Sequence, residues 1–136
     1  MRYRRLSHRY TTVTSTWPAW PLDTIWPGDR VRLLAQGRWQ PDADIYETAS
    51  TIQIVVDLAG VEDDQFEVQL FEDAVVVQGH RQLPGAEATR YHAARIRQGP
   101  LALVVRLPTP VDAERVVARY ERGLLAIALP KRAGEA

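Results

Sequence analysis

The sequence predicts an all-β protein, a two-layer antiparallel sandwich preceded by an irregular N-terminal arm. Three observations predict it. From Pro41 onward apolar residues recur at every second position, as in Ile52, Ile54, Val56 and Leu58, the period of a strand with one buried and one wetter face. Turn-forming residues separate these runs at short intervals, with no run of helical period between them. All four Trp residues stand before Pro41, in a stretch broken by Pro18, Pro21 and Pro27 that excludes a long helix.

Residues 1–40 form the arm. It carries seven Arg against Asp23 and Asp29, a net of +5, so overall neutrality leaves the rest of the chain at −5. Arm and body should attract each other or each other's neighbours. Trp17, Trp20, Trp26 and Trp39 each offer about 150–250 Å² of surface that prefers cover, which favours an adhesive arm; the Ser, Thr and Arg content supports a disordered leader instead. One short helix is expected near residues 29–35 at most.

Residues 41–131 form the sandwich. Ala43–Thr48 opens it, followed by the run from Ile52 to Leu58. Phe66, Val68 and Leu70 then alternate with Glu67 and Gln69; Val75-Val76-Val77 begins a further run to Arg81; Leu101, Leu103, Val105 and Leu107 follow. Turns are marked by Gly60 with Glu62-Asp63-Asp64, by Glu72-Asp73, by Pro84-Gly85, by Gly99-Pro100 and by Pro108 with Pro110. Asp112–Glu114 is long enough for one helical turn. The closing stretch from Ala118 to Lys131 reads as two strands meeting at Gly123, which supplies the positive φ of a tight connection. Short strands at this spacing indicate an immunoglobulin-like sandwich. Residues 132–136 are a short tail.

Composition narrows the function classes. The chain has 136 residues, enough for one domain and a tail. It contains no Cys, which excludes disulfides, thiolate catalysis and sulfur-based zinc sites, and suits a reducing compartment. No apolar run of signal-peptide length follows Arg2, Arg4, Arg5 and Arg9, and no stretch approaches the roughly 20 residues of a membrane helix; a cytoplasmic protein with no membrane partner is expected.

Catalytic and metal-binding patterns are weak. The histidines are His8, His80 and His92, with no His-x-x-x-His, Gly-rich phosphate loop or Gly-x-Ser-x-Gly. Asp42 with Asp44, and Glu62-Asp63-Asp64, could be drawn as calcium ligands, but solvated acids at a strand start and in a turn explain them better. The chain is expected not to be an enzyme and to use no cofactor.

Taken in order, Ala43–Thr48, Ile54-Val55-Val56-Asp57-Leu58-Ala59-Gly60, Phe66–Leu70, Val75–Arg81, the nine residues 82–90, Tyr91-His92, Gly99, Arg106-Leu107-Pro108 and the hairpin at Gly123 resemble the α-crystallin domain of small heat-shock proteins (the Hsp20 family). The resemblance covers roughly residues 41–131. It implies an ATP-independent chaperone of the stress response, a holdase that covers the apolar surface of partly unfolded clients and prevents their aggregation. It also implies a homodimer in which residues 82–97 reach the first domain strand of a second subunit, with Tyr91, His92 and Arg95 against Ile45, Tyr46 and Glu47. Tyr91–Arg97 is too polar for a core strand and suits such an exposed edge; an ordinary edge shielded by its Arg side chains is the alternative.

In the family, an Ile-x-Ile tail docks into a groove of a neighbouring subunit, and larger oligomers result. Here the groove would be lined by Phe66, Val68, Leu70, Val116, Ala118 and Tyr120, but only Arg132-Ala133-Gly134-Glu135-Ala136 follow Lys131. Val31 and Leu33, spaced one apart in the arm, are the candidate substitute, with Thr12-Val13-Thr14 a poorer match and a plain helical turn at 31–35 the alternative. Client contact is assigned to Trp17, Trp20, Trp26, Leu33 and Leu34. Two rivals remain: a p23-like co-chaperone adaptor, expected to be monomeric, and an arm that binds nucleic acid through Arg2, Tyr3, Arg4, Arg5, His8, Arg9 and Tyr10, against which the acidic body argues.

Overall fold

A computed structural model of the protein describes residues 3–6, 13–16, 37–85 and 89–133. Nine strands are found there: β1 (Tyr3–Leu6), β2 (Val13–Thr16), β3 (Ala43–Glu47), β4 (Thr51–Asp57), β5 (Phe66–Leu70), β6 (Ala74–Arg81), β7 (Gly99–Arg106), β8 (Val117–Glu121) and β9 (Leu124–Pro130). They build two antiparallel sheets, one in the order β2-β1-β5-β6-β7 and the other β3-β4-β9-β8. The expected helical turn is a short 3-10 turn at Ala113–Arg115, capped by the Asp112 carboxylate, which accepts from the Glu114 amide at 3.2 Å.

The alternating runs become the core. Ile52, Ile54 and Val56 of β4 face Leu129, Ile127 and Leu125 of β9 in register, and all six side chains are at most 1% exposed. From the other sheet Val68, Val75, Val77, Leu101, Leu103 and Val105 meet them. Each such aliphatic side chain contributes about 1.5–3 kcal/mol by leaving water. The β8–β9 hairpin turns on Arg122 and Gly123, at φ 53 and 80, both positive as a two-residue turn of this twist requires. A Cβ on Gly123 would lie 2.9 Å from the Ala59 Cα, and the Gly123 carbonyl accepts the Leu58 amide at 2.8 Å. That glycine therefore serves both the turn and the docking of the neighbouring loop.

Three features depart from the sequence reading. First, two segments of the arm are regular. β1 pairs with β2 and, through Arg4↔Leu70, Arg5↔Gln69 and Leu6↔Val68, with β5. A strand edge such as β5 presents unpaired N–H and C=O groups, and backbone pairing needs no apolar alternation in the segment that satisfies them. Residues 17–36 of the arm, with Trp17, Trp20, Trp26, Val31, Leu33, Leu34 and the short helix expected near 29–35, lie outside the described residues.

Second, the expectation of one wetter face per strand fails for the five-stranded sheet. On the face turned away from the other sheet, Phe71, Ala74, Val76 and Ala102 form a second apolar cluster, with Val104 packed against it. Gln69 on the same face is 1% exposed. Three consecutive valines at 75–77 necessarily put apolar side chains on both faces, the mark of a strand buried on both sides.

Third, residues 89–98 form no strand within the chain and are almost entirely exposed. At the other end of the five-stranded sheet, Trp39 makes a parallel bridge to Leu101. Its amide donates to the Pro100 carbonyl and its carbonyl accepts from the Ala102 amide, each at 3.0 Å.

Candidate functional site

The residues expected to line a groove lie where β5 of one sheet faces β8 of the other. Phe66, Val68 and Leu70 occupy alternate positions of β5 and, like Val116 and Ala118, are buried in the shared core. Tyr120 is half-buried and closes one end. Its ring meets the Phe66 ring edge-on at 4.9 Å and 72°. Its hydroxyl lies 2.6 Å from the Val61 carbonyl and 2.8 Å from that of Leu58 and shares its one proton between them. Burial, and then the carboxylates of Glu62 and Asp57, raise the Tyr120 pKa above its ordinary value, so the phenol stays a donor. The hydroxyl thus ties β8 to the loop after β4.

The two edges of the groove differ. β8 has no strand partner beyond β9 among the described residues, whereas the free side of β5 carries β1. Val13, the centre of the weaker Thr12-Val13-Thr14 candidate, pairs with Leu6 one strand further out. Val31 and Leu33 lie outside the described residues.

The residues assigned to subunit contact fall in two places. β3 is an edge strand with both of its faces open from Asp44 to Glu47; Ile45 is 52% and Tyr46 53% exposed. Glu47 is held by Lys131 at 2.7 Å. Tyr91 is 59% and Ile96 67% exposed, and His92 and Arg95 beside them are exposed too. These two apolar surfaces are large for solvent-facing positions and sit on backbone able to pair.

An anchoring residue was missed in the sequence. Arg81, 9% exposed, donates through Nε at 2.8 Å and Nη2 at 2.5 Å to the Arg97 carbonyl, and through Nη1 at 3.1 Å to that of Ala59. Its guanidinium also stacks 4.4 Å over the Trp39 ring, and the Leu83 amide donates to the Gln98 side chain at 3.2 Å. Arg81 thereby fixes the end of the exposed segment 89–98 to the sheet. An Arg at a strand end carries no local signal of this role, because its acceptors lie 16 and 22 residues away.

Among the described residues no three His, Asp or Glu side chains group as metal ligands. No described helix is long and apolar enough to cross a membrane.

Comparison with known proteins accounts for this arrangement. Residues 44–136 match the model of the Hsp20/alpha crystallin family. Over 105 residues the chain is 33% identical to the "Probable 15 kDa heat shock protein" of Leptospira interrogans, covering 76% of this chain and 75% of that protein. It is 33% identical over 93 residues to "Spore protein SP21" of Stigmatella aurantiaca, covering 68% and 55%. Among solved structures, a small heat-shock protein from Xylella fastidiosa superposes with a TM-score of 0.64 at 28% identity, over 73% of this chain and 92% of that one. The hspA protein of Xanthomonas axonopodis does so at 0.63 and 30%, over 70% and 96%. The chain belongs to the Hsp20/alpha crystallin family, the small heat-shock proteins, which are chaperones and not enzymes.

Proposed function

We propose that the protein is an ATP-independent holdase that takes segments of partly unfolded proteins onto its sandwich edges and so withholds them from aggregation. The observation that carries this reading is the occupancy of the β5 edge by the short strand β1. Three residue pairs join the two, and a backbone hydrogen bond contributes only about 0.5–1.5 kcal/mol net. Such a strand is exchangeable: an extended apolar client segment can take its place, add itself to β5 and set alternate side chains toward Phe66, Val68 and Leu70. The arm residues Trp17, Trp20, Trp26, Leu33 and Leu34 supply further client contact, and Val31 and Leu33 remain a second groove-docking candidate.

The working unit is a homodimer in the cytoplasm. Ile45 and Tyr46 on the open edge β3 and Tyr91 on the exposed segment 89–98 are two surfaces that a second copy would cover, with His92 and Arg95 against Glu47. A reducing compartment suits a chain with no Cys. The small heat-shock protein from Xylella fastidiosa has a distinct high order structure, which supports assembly beyond the dimer.

The test is light scattering of a heat-denatured client with and without stoichiometric excess of the purified chain. Suppressed scattering without added nucleotide is expected, and equal aggregation in both samples removes the proposal. Analytical sedimentation tests the dimer, and a monomer at micromolar concentration refutes that part.

A further inference from the structure

The loop that leads from β4 to β5 is held from two sides. Tyr120 of β8 offers its hydroxyl to the Val61 and Leu58 carbonyls at 2.6 and 2.8 Å. From the same hairpin the Gly123 carbonyl accepts the Leu58 amide at 2.8 Å, and Gly123 lies so close to Ala59 that a Cβ would stand 2.9 Å from its Cα. Arg81 grips the loop from β6. Its Nη1 donates to the Ala59 carbonyl at 3.1 Å while its Nε donates to the Arg97 carbonyl at 2.8 Å. One guanidinium therefore ties this loop to the exposed segment 89–98.

The four residues under these grips form a defined turn. The Val61 amide donates to the Leu58 carbonyl at 3.0 Å, Gly60 has φ 79, and Ala59 is not among the residues of positive φ. A positive φ at the third position alone marks a type II turn. Such a turn has a near neighbour, type I, in which the central peptide is rotated by roughly half a revolution while the ends keep their places. Here the central carbonyl is that of Ala59, the acceptor of Arg81. Rotating it breaks the tie to segment 89–98, and opening the turn separates the two carbonyls that the Tyr120 hydroxyl bridges. The observed conformation satisfies both grips at once.

We propose that the turn at residues 58–61 is a relay that couples the Tyr120 end of the groove to segment 89–98, so that loosening either grip weakens the other. Two sites that favour the same conformer of a shared element are coupled, and the coupling is reciprocal. A chain that enters the groove and draws the Tyr120 hydroxyl away would release the segment assigned to subunit contact. Pairing of that segment with a second copy would in turn tighten the groove. That meaning rests on the functional reading above; the coupling itself does not.

Gly60→Ala probes the turn directly. A Cβ there meets only the Leu83 Cδ2 at 3.8 Å and the Arg81 Cδ at 3.9 Å, which are ordinary contacts, so the change acts through the positive φ that Ala resists. The full chain is treated with trypsin at one protein concentration, and cleavage at Arg95 and Arg97 is timed by mass spectrometry. The reference is Ile52→Val, a core change at the far end of β4 that lowers stability without touching the turn. Gly60→Ala and Tyr120→Phe should each cleave about 2- to 30-fold faster than this reference. Tyr120→Phe, which keeps the ring, decides the matter if Gly60→Ala does not fold. Arg81→Met should reciprocally speed hydrogen exchange of the Leu58 amide, and the double variant Tyr120→Phe/Arg81→Met should cleave no faster than Arg81→Met alone. Cleavage of Tyr120→Phe no faster than the reference, unchanged exchange in Arg81→Met, or effects that multiply in the double variant overturn the proposal. Coupling that persists in a chain without client protection counts against the holdase reading alone.

Discussion

Replacing Tyr120 by Phe isolates one hydroxyl that joins two parts of the fold. The ring, its edge-on contact with Phe66 and the packing around it all survive, so no cavity is created. What disappears is the donor to the Val61 and Leu58 carbonyls. Leu58 retains the Val61 amide at 3.0 Å, so the loss falls on the Val61 carbonyl. The carbonyl of the buried Val61, deprived of its donor, costs about 1–2 kcal/mol, a factor of about 5–30 in the folding equilibrium. The pH dependence follows from the raised pKa, caused first by burial and then by Glu62 and Asp57. A folded-state value above the unfolded value of about 10 means the stabilisation is complete below that pH. It is lost as pH rises through the folded value, because only the unfolded chain gains from ionising earlier. Urea unfolding followed by circular dichroism, at one protein concentration, should show the variant less stable at neutral pH and the two proteins converging in alkali. Equal stability at neutral pH, or parallel curves through the alkaline range, would refute the reasoning.

Gly123→Ala places a Cβ 2.9 Å from the Ala59 Cα at φ 80; it should cost about 1–3 kcal/mol, read as a lower urea midpoint. Arg81→Met keeps the stem but drops every donor to Arg97 and Ala59, and should free the segment 89–98, seen as faster tryptic cleavage at Arg95 and Arg97 with the core intact. Ile45→Asp with Tyr46→Asp changes half-exposed side chains only; the monomer should fold normally while the native mass in sedimentation falls from dimer to monomer. Deleting residues 1–16 opens the β5 edge and should increase client protection per mole in light scattering, whereas a decrease would show that β1 assists binding and does not compete with it.

The sandwich was legible because its signals are local. Ile52, Ile54 and Val56 alternate, the Arg122-Gly123 turn joins two alternating runs, and the alternating runs between Ala43 and Pro130 form strands near their expected places. What escaped depends on distant chain. Tyr3-Arg4-Arg5-Leu6 has no strand pattern of its own and becomes β1 because Val68–Leu70 offers an edge. Gln69 reads as a solvent-facing residue and is buried. The valines at 75–77 did contain that information: a run without alternation is evidence of two buried faces.

The open edges suggest how one small sandwich stays both stable and receptive. A closed barrel would remove its edges altogether; here they are handled separately and weakly. β5 is covered by three residues of β1, β7 by the single bridge of Trp39, and β3 by nothing beyond β4 among the described residues. The centre, by contrast, has β4 and β9 paired over seven residues with side chains near zero exposure. Local opening free energies should follow the same gradient: low for β1 and β3, high for β4 and β9. Segments can then exchange at the margins without loosening the core, which is the physical requirement for a protein that must hold other chains while remaining folded itself.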